Sequence, residues 1–264
     1  MRLFTKMTIA AIAAAGSVLS AAEVIDLNNK DFWIPLKNVT FSEGQMVNDG
    51  RAMYRSKKTI AIDPAKKYTI SMTVSNAEGK KSSYLLFGMS PATAKGGQIS
   101  ATSLQSIKNT FTQVVADAKK GDKTITVKDA SKWNKSPHCT IALNAKEDNS
   151  DIPNFSILQA PIEKAEKTGD NWTITLKKPL PKNIAAGTNI RQHINGGYYY
   201  FGTRSIAPGK TVEVKNSVTG QTPHGTFTAR GFHPGMKHAY IIILSDWNSS
   251  KQPVTIKNAK LIIE

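Results

Sequence analysis

Residues 68–74, Tyr-Thr-Ile-Ser-Met-Thr-Val, alternate strictly: Tyr68, Ile70, Met72 and Val74 share one face and Thr69, Ser71 and Thr73 the other. A period of two belongs to a strand with one buried face. The same texture recurs in short runs at 39–41, 59–62 and 171–176; 211–214 and 225–228 are further short strands, 238–244 is rich in β-branched residues and long enough to be a central strand, and residues 83–89 read as a more fully buried strand. Phe32-Trp33-Ile34 before Pro35 reads as an edge strand, and Val254-Thr255-Ile256 and Leu261-Ile262-Ile263 as two closing strands. Turn chemistry separates them: Asn48-Asp49-Gly50, Asp63-Pro64, Asn76-Ala77-Glu78-Gly79 and Phe232-His233-Pro234-Gly235. Only a short helix at 103–108 is expected. Many short strands with turn signals between them predict an all-β chain, a sandwich or jelly roll.

One stretch marks the organisation. Tyr198-Tyr199-Tyr200-Phe201 lies between Gly196-Gly197 and Gly202. Aromatics favour the pleated surface, and alternation places Tyr198 and Tyr200 on one face and Tyr199 and Phe201 on the other. One pair can fill a core while the other faces outward. Before this stretch the texture differs: a glycine-led strand from Gly121, a second from Asn171, and a closing run through Ala186-Gly187 to Arg191. The expected organisation is a leader at 1–22, a first sandwich portion at 23–112, a small all-β insert at 113–195, and a second sandwich portion at 196–264.

The leader is read from Arg2 and Lys6, an apolar run at 7–19, and the small residues Ser20-Ala21-Ala22. That order is the pattern of a secretory signal peptide, and the apolar run is too short to span a membrane comfortably. A secreted, periplasmic or cell-surface location is therefore expected. The formal net charge is +16, and removing the leader leaves about +14. A strongly basic exported chain favours anionic partners. Its densest basic runs are pairs such as Lys57-Lys58, so charge biases the choice of partner without defining a site. Cys139 is the only cysteine, which excludes an internal disulfide and fits a buried thiol.

Thr59-Ile60-Ala61-Ile62-Asp63-Pro64-Ala65-Lys66-Lys67-Tyr68 resembles a passage of carbohydrate-binding-module-like, galactose-binding-like jelly rolls, in which a polar turn leads into an inward aromatic. Phe232-His233-Pro234-Gly235-Met236-Lys237-His238-Ala239-Tyr240 is similar to their late strand, and Ile256-Lys257-Asn258-Ala259-Lys260-Leu261 to their closing strand. The likeness covers about 23–112 and 196–264. It implies a jelly-roll sandwich, with the insert as a departure from most such modules. Members often hold a structural calcium through an acidic residue in the last strand. Here that position is Asn258, which has no charge, leaving carbonyl oxygens and Asp26 or Asp31 as donors. No cofactor is expected.

No reaction is legible. The histidines lack the i,i+4 spacing of a helical zinc site, and there is no nucleophile elbow or phosphate loop. The acids lie mostly in turns, so no carboxylate pair stands out for glycoside hydrolysis. Gln192-His193-Ile194 resembles an element of jelly-roll alginate lyases in composition only. A lyase would use Arg191, His193 and the tyrosines at 198–200 to neutralise a uronate and move its proton, yet that family's arginine-rich and Tyr-x-Lys strands are missing. Trp33, Trp133 and Trp172 read as core, whereas Trp247, at a strand end, reads as exposed.

The expected function is non-catalytic binding of polysaccharide, including anionic glycans. Tyr198, Tyr200 and Trp247 would stack on sugar rings. Asp246 and Asn248 would receive hydroxyl hydrogen bonds, and Arg204 and Arg191 would pair with carboxylate or sulfate. The alternatives are a structural or protein-interaction component of the envelope or extracellular matrix, and a polysaccharide lyase. Nucleic acid ranks lower as a partner, because the chain is exported and carries no nucleic-acid-binding motif.

Overall fold

The computed structural model describes residues 21–134, 138–223 and 230–264. The expected leader, apart from its last two residues, and the expected strand at 225–228 lie outside the described residues. Along the chain come β1 (Glu23–Asp26), a 3-10 turn (Lys30–Phe32), β2 (Val39–Ser42), β3 (Gln45–Asp49), β4 (Ala52–Arg55), β5 (Ile60–Ala61), β6 (Tyr68–Asn76) and β7 (Ser83–Ala92). A second 3-10 turn (Ala101–Ser103) precedes β8 (Thr112–Gln113), β9 (Thr124–Val127), β10 (Cys139–Leu143), β11 (Ile162–Thr168), β12 (Asn171–Leu176) and β13 (Asn189–Ile194). The chain closes with β14 (Tyr199–Ile206), β15 (Thr211–Val218), β16 (His238–Ser245) and β17 (Pro253–Ile263).

The protein is an all-β sandwich with antiparallel sheets. One layer has six strands in the order β15-β6-β17-β3-β2, with β1 also on β17. The other has five, in the order β14-β7-β16-β4, with β5 on β16. From β3 onward the chain passes repeatedly between the layers, and late strands lie beside early ones, which is jelly-roll wrapping. Between the layers lie the inward residues of both. Tyr68, Ile70, Met72 and Val74 are buried there as alternation predicts, facing Leu85, Phe87 and Met89 of β7 and Ile241 and Ile243 of β16. Trp33 is anchored in this core by its indole N–H, which donates to the Leu27 carbonyl at 2.8 Å.

The connection between β7 and β14 carries the inserted unit. It holds two three-stranded sheets, β10-β13-β8 and β11-β12-β9. Its own cluster of buried side chains includes Val114, Ile125, Trp133, Ile141, Ile174 and Ile190, and Trp172 packs against it. Cys139 is a buried cysteine outside any disulfide.

Three local expectations change. Residues 32–34 do not form a strand: Asn29 accepts a hydrogen bond from the Asp31 N–H at 2.9 Å, closing a turn. Trp33 then makes only a single bridge with Ser56. The helix expected at 103–108 is a 3-10 turn that begins earlier, capped by the Ser100 side chain. The two closing segments are one strand, β17, with a register shift between Lys257 and Lys260 and a positive φ of 52° at Asn258. Asn28 holds that bulge, accepting from the Ala259 N–H at 2.7 Å.

Candidate functional site

The five-stranded layer has an inner face in the core and an outer face that is unusually apolar for a surface. On β4, Ala52 and Tyr54 point inward, so Met53 and Arg55 point outward. On β16 the outward residues are Tyr240, Ile242 and Leu244, and all three are buried. Register lines these strands up: Tyr200 pairs with Gly88, Gly88 with Ile242, and Ile242 with Arg55. A neighbouring row runs Thr203, Leu86, Leu244, Met53.

Tyr198 and Tyr200 lie on this outer face, and Tyr199 and Phe201 are in the core. The Tyr198 hydroxyl donates to the Met53 sulfur at 3.4 Å. Met53 is on β4, so this contact links the start of β14 to the far side of the layer. Tyr200 meets Tyr198 edge to face, with ring centroids 5.9 Å apart. Burial, together with the Tyr198 neighbour, pushes the Tyr200 hydroxyl up to about 12, so this ring stays neutral at ordinary pH. Tyr84, 37% exposed, adds another outward aromatic at the start of β7. Two arginines stack on this face: Arg55 over Tyr240 at 3.9 Å, and Arg51 over Trp247 at 3.5 Å. Such contacts are worth about 0.5–1 kcal/mol where exposed and more where desolvated.

Other residues expected at the site are placed differently. Trp247 is half-buried rather than exposed, because Arg51 caps one ring face. Asp246 is fully buried with φ 50°, and its carboxylate accepts from the Ser250 and Lys251 N–H groups at 2.9 and 3.1 Å. Asn248 accepts from the Tyr84 N–H at 2.8 Å and donates to the Ser82 carbonyl at 2.7 Å. Both therefore shape the Trp247 turn and tie it to β7.

Arg204 leaves the tyrosine face. A register shift between Tyr200 and Gly202 reverses the alternation, so Arg204 pairs with the core residue Leu85. It lies at the rim where β14 and β15 meet, beside Glu213 and Lys215.

Arg191 belongs to a buried polar knot. Its guanidinium pairs with Asp151 at 2.8 Å and donates to Asn149 Oδ1 at 2.6 Å and the Lys146 carbonyl at 3.1 Å. It also donates to His193 Nε2 from Nε at 3.3 Å and from Nη2 at 3.2 Å. Arg191 has no acceptor role, so Nδ1 of His193 carries the proton and donates to the Thr102 carbonyl at 2.7 Å. Burial lowers His193 to about 4, outweighing the Thr102 bond, and the Arg191 charge acts in the same direction as burial. Burial alone would raise the Asp151 carboxyl, but hydrogen bonds from Asn154 and the Lys146 N–H, with Arg191, hold it below the usual carboxylate range. A cavity of about 420 Å³ borders this knot, lined by Lys108, Phe111, Glu147 and Asn149 among others.

Among the described residues, no three His, Cys, Asp or Glu side chains converge as metal ligands. Asp26 and Asp31 serve local contacts, accepting from the Asn28 N–H at 2.8 Å and facing Lys57 at 3.8 Å. No helix among the described residues is long and apolar enough to cross a membrane.

The residues missed by sequence reasoning are Arg51, Arg55, Tyr84 and Tyr240. For the two arginines the signal was the alternation Arg51-Ala52-Met53-Tyr54-Arg55, which places both on one face of an extended segment. The fold and this face define a jelly-roll β-sandwich with an aromatic, arginine-flanked outer sheet. No protein-family model, curated protein or solved structure matches the chain.

Proposed function

We propose that the protein is an exported, non-catalytic β-sandwich that binds polysaccharide on the outer face of its five-stranded layer. The observation that carries this reading is the Tyr198–Tyr200 pair, laid across a sheet whose outward residues are apolar. Sugar rings present flat C–H faces, and aromatic rings held on rigid strands stack on them without a large ordering cost. Tyr84 and Trp247 extend the surface along the same layer. The resemblance of 59–68 and 232–240 to carbohydrate-binding jelly rolls supports the same class, and the apolar segment at 7–19 supports export. The non-catalytic reading is supported by Arg191 and His193, whose polar groups are used within their knot.

The test is retention on immobilised neutral, uronic and sulfated polysaccharides, with the full chain beside a Tyr198→Ala, Tyr200→Ala variant. Retention by the parent that falls at least tenfold in a normally folded variant is the expected result. A structural or protein-interaction role is favoured instead by one observation, the 71% exposure of Phe155 on the insert. No retention on any polymer would move the reading there.

A further inference from the structure

We propose, building on the polysaccharide-binding reading, that Arg51 and Arg55 form an anion site at the β4 side of the tyrosine platform, selecting polymers that carry carboxylate or sulfate groups. Both guanidinium carbons sit over aromatic rings, Arg51 over Trp247 at 3.5 Å and Arg55 over Tyr240 at 3.9 Å. Stacking uses the face of the guanidinium and leaves its N–H edge free for the in-plane, two-point pairing that carboxylate and sulfate accept.

No acceptor among the described residues meets that edge. Among the described residues, neither arginine has a carboxylate in ion-pair reach, and Arg55 Nε is buried without a hydrogen-bond partner. That Nε is shielded from solvent, so an anion on this face pairs with the Nη edges of Arg55 and of the exposed Arg51. The outward positions of β4, β7, β14 and β16 carry no Asp or Glu, so the platform offers positive charge and no competing carboxylate.

Position supports the pairing. Arg55 and Tyr200 end the same transverse row, separated by β16 and β7. Across four strands that is about 14 Å, room for a short run of sugar rings. The Tyr198 hydroxyl reaches Met53, midway between Arg51 and Arg55 in sequence. A polymer stacked on Tyr198 and Tyr200 therefore brings its charged substituents to the arginines. This site replaces the pairing expected from Arg191 and Arg204, one locked in a buried knot and the other moved to the rim.

The experiment compares two matched pairs of polymers: polygalacturonate with its methyl ester, and dextran sulfate with dextran. Each pair keeps its backbone and changes its charge. Binding of the full chain is measured beside Arg51→Gln, Arg55→Gln, the double variant, and a Lys257→Gln, Lys260→Gln control that removes two exposed charges from the outer face of the opposite layer. Arg51 is exposed, so its substitution tests the site even if Arg55→Gln disturbs packing on Tyr240; thermal unfolding monitors both.

The expected result is that the parent prefers a charged polymer to its neutral partner. The arginine double variant then loses roughly tenfold or more on the charged polymer and little on the neutral one, while the lysine control keeps parental affinity. Preference within one pair only assigns the site to carboxylate or to sulfate. Equal loss in the arginine and lysine variants, or none in either, overturns the arginine site and leaves the platform standing if Tyr198→Ala, Tyr200→Ala abolishes binding. No binding of the parent to any polymer overturns both.

Discussion

His193 and His233 are held neutral by burial, each lowered to about 4 from 6.5. Their protons bind more readily in the unfolded chain, so stability rises with pH across this window. It is full above pH 6.5, declines as pH falls toward 4, and these two groups add no further loss below that. Each shift corresponds to about 3 kcal/mol at most. Urea unfolding at pH 7, 5.5 and 4 checks this, and a flat profile would count against the packing of both rings. Asp151, held low, adds its loss only below the ordinary carboxylate range. At this scale the sequence showed which residue types stand together but not how their polar atoms are used. Arg191 and His193 share a face because they are two apart on β13. Their saturation by Asp151, Asn149 and Thr102 depends on chain more than 35 residues away, which no local pattern encodes. Asp246 and Asn248 behave alike: short polar side chains at a strand end favour backbone hydrogen bonds over display to a ligand.

The bulge in β14 decides the site. It keeps Tyr198 and Tyr200 outward and turns Arg204 to the other side. Two glycines permit it. A Cβ on Gly88 would overlap the Tyr199 carbonyl, and one on Gly202 would enter the Phe87 ring. Gly88→Ala and Gly202→Ala are each expected to cost about 1–3 kcal/mol through overpacking, seen as a lower unfolding temperature. Gly88→Ala, directly beneath the Tyr199–Tyr200 backbone, should also weaken polysaccharide retention more than its loss of stability explains. Parental stability in both variants would refute the account of the bulge. Legible from residue period and β-branched content were the alternation of β6, the central place of β16 and the shared face of Tyr198 and Tyr200, though not that this face is the outer one. The bulge was not. An extra residue in one strand shows only against its partner's register, and nothing local at Phe201-Gly202 announces it. The long strand β17 hid for a related reason, its bulge at Asn258 reading as a turn between two strands.

At the scale of the molecule, the buried knot sits where the insert meets the sandwich. Arg191 and Asp151 belong to the insert, Thr102 to the turn that leads into it, and the Asn154 N–H donates to the Ser103 carbonyl at 2.9 Å. Arg191→Ala would remove the ion pair of Asp151 and leave it only its bonds from Asn154 and the Lys146 N–H, at an expected cost of about 1.5–3 kcal/mol. Amide exchange should then rise first at Asn154 and along β13, ahead of β6 and β17. Uniform exchange across both units would refute a junction role. The sequence by itself determined the all-β class, the two-sided strands and the separate texture of the insert, because these follow from residue period and turn chemistry, which are local. Only the tertiary structure decided which arginines face the tyrosines. That choice depends on strand register, on one bulge and on distant hydrogen-bond partners, and each of these is fixed by contacts between segments far apart in the chain.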